Sequence, residues 1–74
     1  MKYLTVTPAY GRDYTTAKAA LADWKAGKDF IVRDISDPYD GKPINLQDAC
    51  ALAPVTINIR YKRLAGVTSV KVNP

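Results

Sequence analysis

The chain has 74 residues, of which 47% are hydrophobic and 24% are charged, and its formal net charge is +4. This length supports a single domain over residues 1–74 and excludes a second one, and the composition is that of a globular protein rather than a disordered or fibrous one. Histidine and glutamate are both absent, which removes the usual proton shuttle and the commonest metal ligand. We therefore expect no enzyme, with no catalytic residue, no metal and no cofactor.

The first strand and the first helix are predicted by hydrophobic periodicity. Residues 2–7 alternate between apolar and polar side chains, which is typical of a strand with one buried face, and Pro8 ends the pattern. Thr15 or Thr16 can cap a helix, and Gly27 can end it in the left-handed conformation. Between these signals a stripe with helical spacing, which we expect to pack into the core, consists of Ala17, Ala20, Leu21 and Trp24.

A second strand, a loop and a short helix follow. Residues 29–35 are rich in β-forming side chains and predict a central strand, whereas residues 36–43 are turn-forming almost throughout. Asn45 opens the short helix, and Asp48 three positions later can complete a capping box. We expect Cys50 to lie on the apolar side of this helix as a small buried side chain.

Two further segments, residues 55–62 and 67–72, alternate clearly and predict an antiparallel hairpin with a turn at 64–66. The predicted fold is therefore α+β. It has a small mixed sheet of three to four strands in the order β-α-β-α-β-β, with one main and one short helix on the same face.

Positive charge is concentrated near the end of the chain, because residues 55–74 carry four cations and no carboxylate. If both helices cover one face of the sheet, the polar residues of the strands emerge together on the other face. Cations for phosphate, a ring for stacking and an amide for hydrogen bonds would suit nucleic acid. The predicted contact residues are Tyr3, Arg33, Asn58, Arg60, Lys62 and Lys71. Such residues are also ordinary on solvent-facing strands.

The loop before the first helix offers a second candidate surface. Tyr10 and Arg12 present a ring and a guanidinium group, which suit a nucleobase or a protein hot spot. The sequence thus predicts a non-enzymatic binding module for nucleic acid, preferably single-stranded, and leaves open an accessory protein that binds and modulates a host protein through this loop. A third possibility is an assembly protein whose strand edges pair between copies.

Three aspartates, Asp34, Asp37 and Asp40, recur at every third position and have the oxygen ligands that hard cations prefer. Their spacing does not match a calcium loop, and aspartates beside proline and glycine commonly bond to the turn backbone. We therefore expect no metal site there.

Cellular location is predicted from the cysteine content and the apolar runs. A single cysteine cannot form an internal disulfide, and no apolar run approaches the roughly 20 residues that span a bilayer. We expect a cytoplasmic protein that does not associate with membranes.

The stretch of residues 3–49, which is most of the chain, resembles short uncharacterised proteins encoded in bacteriophage and prophage genomes. The resemblance lies in Pro-Ala-Tyr-Gly-Arg-Asp-Tyr at 8–14, Ala-Gly-Lys-Asp-Phe at 26–30 and Gly-Lys-Pro-Ile-Asn at 41–45. It implies a small accessory protein in the cytoplasm of a bacterial host, where such proteins contact nucleic acid or bind a host protein. It brings no named activity, cofactor or site residue.

Overall fold

A computed structural model of the protein describes residues 2–9, 12, 14–62 and 66–73, and these residues form five strands and two helices. In chain order the elements are β1 (Lys2–Pro8), α1 (Ala17–Lys25), β2 (Phe30–Val32), β3 (Pro43–Ile44), α2 (Leu46–Ala51), β4 (Val55–Arg60) and β5 (Val67–Val72).

The strands form one mixed sheet in the order β3-β2-β1-β4-β5. The central strand β1 runs parallel to β4 and antiparallel to β2, and β4 and β5 form the predicted antiparallel hairpin. The α+β class and the mixed sheet are confirmed. The expected three to four strands are wrong, because there are five among the described residues.

The additional strand, β3, lies at the end of the segment predicted to be a turn. It has two residues and pairs Ile44 with Phe30 of β2, and two residues are too few to show an alternating pattern. The element order is therefore β-α-β-β-α-β-β. The strand predicted at residues 29–35 shortens to Phe30–Val32.

Both helices contribute to a core on one face of the sheet. Residues opposite one another on neighbouring strands share a face, and the inward positions of β1 face those of β4, as in the pair Leu4 and Ile57. Ala20 and Trp24 of α1 and Ala49 of α2 join the same buried cluster. The other members of that cluster are Leu4, Val6, Phe30, Val32, Ile44, Val55, Ile57, Ile59 and Val72.

The helix ends follow the sequence signals closely. Thr16 caps α1 by accepting a hydrogen bond from the amide of Ala19 at 3.2 Å, and Gly27 follows the helix with a φ of 87°. Asn45 and Asp48 form the full capping box of α2. These local predictions are confirmed because each depends on neighbouring residues alone.

The short helix is rotated relative to the sequence prediction. Cys50 is exposed rather than buried, whereas Ala49 is fully buried, with Leu46 and Ala53 half-buried beside it. Successive helical residues differ by about 100° around the axis, so the neighbour of a fully buried alanine turns towards solvent.

Strand β4 ends at Arg60, two residues earlier than predicted. The amides of Tyr61 and Lys62 both donate to the carbonyl oxygen of Gly66, at 2.9 and 3.4 Å, so two residues oppose one and the strand bulges. Strand alternation therefore no longer assigns Lys62 to a face. Most of the predicted turn at 64–66 lies outside the described residues.

None of the helices within the described ranges is long and apolar enough to cross a bilayer.

Candidate nucleic-acid interface

The face of the sheet opposite the helices carries the alternate residues of the strands. The pairing register brings Tyr3, Thr56 and Lys71 into one row across β1, β4 and β5, and Thr5, Asn58 and Ser69 into the next. We call this surface the open face. Its members are Tyr3, Thr5, Thr7, Ile31, Arg33, Pro43, Thr56, Asn58, Arg60, Val67, Ser69 and Lys71.

Three cations of the open face come from three different strand regions. Arg60 ends β4, Lys71 lies in β5, and Arg33 follows β2, where its amide donates to the Thr5 carbonyl at 2.8 Å and continues the register. All three are exposed, and no ion pair among the described residues involves them. The open face as defined contains no carboxylate, so its three charged side chains are all cations.

The polar groups at the centre of the open face are arranged across strands. Tyr3 is 57% exposed, although the neighbouring Thr56 is only 7% exposed. Ser69 donates its hydroxyl hydrogen to Oδ1 of Asn58 at 2.7 Å, which fixes the carboxamide across the β4–β5 pair and leaves its amide nitrogen as the donor. A ring and an amide donor therefore lie among the cations.

The remaining three predicted contact residues, Lys62, Tyr10 and Arg12, are not among the members of the open face, and their outcomes differ. Lys62 is exposed in the bend after β4, and Tyr10 lies outside the described residues. Arg12 is directed into the protein. Its Nε donates to the carbonyl oxygen of Ala9 at 3.1 Å, and its terminal nitrogen donates to the carbonyl oxygen of Asp29.

The remaining contacts of Arg12 are also internal. Its guanidinium group lies 5.1 Å from the centre of the Phe30 ring and 3.6 Å from a carboxylate oxygen of Asp23, and the side chain is 25% exposed. Its donors thus tie the loop to the start of β2, and the role of Arg12 as a contact residue stays a prediction.

Tyr14 and Asp23 form a polar cluster that the sequence analysis did not identify. The Tyr14 hydroxyl donates to Oδ2 of Asp23 at 2.5 Å, and Lys28 lies 3.6 Å from the other carboxylate oxygen. Burial, together with this hydrogen bond, raises the pKa of Tyr14 to about 12. The same hydrogen bond lowers the pKa of Asp23 below its ordinary value. The cluster depends on Tyr14, which precedes α1, meeting Asp23 of α1 and stacking on Phe30 of β2, and no local pattern encodes those contacts.

The three regularly spaced aspartates bond to their own turn. Asp34 accepts from the amide and hydroxyl of Ser36, Asp40 accepts from the amide of Asp34, and Asp37 accepts from the amide of Tyr39 at 2.8 Å. The other oxygen of Asp37 lies 3.5 Å from the ammonium group of Lys2. These carboxylates shape the turn, and no group of metal-ligating side chains occurs within the described part of the chain.

Comparison of the chain with protein-family models, with curated proteins and with solved structures yields no match in any of the three. The resemblance to phage-encoded proteins therefore stays a prediction.

Proposed function

We propose that this protein is a small non-enzymatic binding module that contacts single-stranded nucleic acid through the open face of its sheet. The single observation that carries the proposal is the pairing register, which gathers Arg33, Arg60 and Lys71 on a face without a carboxylate. A solvent-facing sheet surface without a binding role would ordinarily carry both cations and carboxylates.

The energetic basis of binding would be the release of counterions from phosphates by Arg33, Arg60 and Lys71. Lys62, exposed just after β4, would be a further phosphate contact. Such contacts position a nucleic-acid strand without reading its base sequence. Affinity that arises in this way falls steeply as salt is added.

The preference for a single strand rests on Tyr3 and Asn58. An exposed ring on the face of a sheet offers a stacking surface, which a base can reach only when it is not paired within a duplex. The Asn58 amide nitrogen, oriented by Ser69, supplies a hydrogen-bond donor in the adjacent row.

The alternative, a phage accessory protein that binds a host protein through Tyr10 and Arg12, has less support. The inward contacts of Arg12 leave the loop without its guanidinium anchor. No further observation favours that alternative.

The proposal is tested by the double variant Arg60→Ala with Lys71→Ala, measured by fluorescence anisotropy with a labelled single-stranded oligonucleotide over a range of salt concentrations. We expect weaker binding and a log–log salt slope that is shallower by about 1.4, because each phosphate contact to a single strand contributes about 0.7.

The matched control is Lys18→Ala with Lys25→Ala, which removes the same charge from exposed positions of α1 on the other side of the sheet. We expect the control to retain nearly the full slope. Equal losses in the two variants would mean that net charge alone drives binding, and the open face would then have no special role.

A further inference from the structure

The two edges of the sheet differ in how they are protected against pairing with another strand. The β3 edge has two residues and includes a proline, Pro43, and both features discourage strand addition. The β5 edge has six residues, Val67–Val72, without a proline. Within the described ranges, no backbone hydrogen bond outside its ladder with β4 leads from β5 residues.

The pairing with β4 fixes which backbone groups of β5 face outward. Tyr61 donates to the carbonyl of Gly66 in the same register that pairs Ile59 with Thr68. Hydrogen-bonded pairs recur at every second residue of an antiparallel ladder, so the even-numbered residues of β5 bond to β4. The amides and carbonyls of Val67, Ser69 and Lys71 therefore point away from the sheet.

We propose that β5 pairs antiparallel with β5 of a second copy of this chain, about a two-fold axis through Ser69. In this register Ser69 faces Ser69, and Val67 of each copy faces Lys71 of the other. Residues 67, 69 and 71 supply every donor and acceptor that such a pair needs. This inference goes beyond nucleic-acid binding and does not depend on it.

Two features favour a second copy of this chain as the partner of β5, and they favour this register. Thr68 and Val70, which lie on the helix-covered face and are half-buried, would oppose each other across the axis and continue the apolar layer from one copy to the next. The two Lys71 side chains would lie four positions apart along the pair. A shift that centred the pair on Val70 would bring the two lysines two positions closer and increase their repulsion.

The dimer would join two five-stranded sheets into one, with both helix layers on the same side. Because opposed residues share a face, the two open faces would become continuous across the axis.

The test measures the monomer–dimer equilibrium by sedimentation velocity, in the absence of nucleic acid and over a wide range of protein concentration. We expect reversible dimerisation with a dissociation constant in about the micromolar range, because an interface of one strand pair is small. A protein that remains monomeric at every concentration would overturn the proposal.

The register is tested at Val67, which is 55% exposed and is not part of the buried core. Val67→Lys places a lysine opposite Lys71 at two symmetric positions and should weaken the dimer about two- to thirty-fold, whereas Val67→Glu should strengthen it. Combining Val67→Lys with Lys71→Glu should restore the dimer. A dimer that is indifferent to these changes would lie elsewhere and would contradict the proposal.

The role of the β5 backbone in the dimer is tested at Ser69, through which the proposed two-fold axis passes. Ser69→Pro removes an amide that points away from β4, so it should abolish the dimer while the far-ultraviolet circular dichroism spectrum is retained. Ser69→Ala keeps the amide and should still dimerise. Loss of dimerisation in both variants would assign the interface to the serine side chain and would overturn the strand-pairing model.

Discussion

At the scale of single residues, the clearest result concerns the polar side chains that the protein uses internally. Arg12, Tyr14 and Asp23 connect the loop, the α1 helix and the start of β2 through hydrogen bonds and ring contacts. The sequence predicts a binding surface formed by the Arg12 guanidinium group and the Tyr10 ring, and Tyr10 lies outside the described residues. In the structure Arg12 and a different tyrosine, Tyr14, bond to partners within the chain and stabilise the fold.

This cluster should make stability depend on pH at both ends of the scale. The folded-state pKa of Asp23 is lowered from its ordinary 3.8, so its contribution is present above that value and is lost as the pH falls below it. The folded-state pKa of Tyr14 is raised from 10.0 to about 12, so its contribution is present below pH 10 and is lost as the pH rises towards 12.

We predict that Tyr14→Phe lowers the melting temperature, because the variant keeps the ring and removes the hydroxyl. The difference from the unsubstituted protein should be greatest between about pH 4 and pH 10 and should shrink beyond both limits. Thermal melts across this range check the prediction. Titration at 295 nm should also show that the variant lacks the tyrosine that ionises near pH 12, and a constant melting-temperature difference at every pH would contradict the account.

At the scale of elements, the β4–β5 connection depends on the absence of a side chain at Gly66. A β-carbon at this position would lie 2.7 Å from the Tyr61 ring and 2.8 Å from Cβ of Lys62, closer than atoms can pack. We predict that Gly66→Ala lowers the free energy of unfolding by about 1–3 kcal/mol, as measured by urea denaturation.

The same substitution in a Tyr61→Leu background provides the control. The cost of Gly66→Ala should be smaller there, because the ring that the new methyl group meets is gone, although Cβ of Lys62 remains. A cost that is the same in both backgrounds would show that Tyr61 is not the obstacle.

Elements encoded by neighbouring residues were predictable, and elements encoded by distant pairing were not. Thr16 and the Asn45–Asp48 box could be read directly because a cap needs only the residues beside it. Strand β3 was missed because it exists only where Ile44 meets Phe30. The bulge that ends β4 was missed for the same reason, since it forms around the Gly66 carbonyl.

At the scale of the whole molecule, the two faces of the sheet differ in charge. The carboxylates of Asp23 and Asp37 pair with lysines or arginine, whereas Arg33, Arg60 and Lys71 emerge on a face that contains none. Strand alternation allowed most of this surface to be predicted from the sequence. It did not assign Lys62 to a face, because β4 bulges before that residue. It also did not predict the internal contacts of Arg12.

The most direct test of the open face as the binding surface compares two side-chain amides during one NMR titration with a single-stranded oligonucleotide. Asn58 lies on the open face, whereas Asn45 caps α2 and donates to Asp29 at 3.2 Å on the helix side of the molecule. We predict that the Asn58 side-chain signals shift in proportion to the bound fraction while those of Asn45 stay in place. Shifts at Asn45 with none at Asn58 would contradict the account.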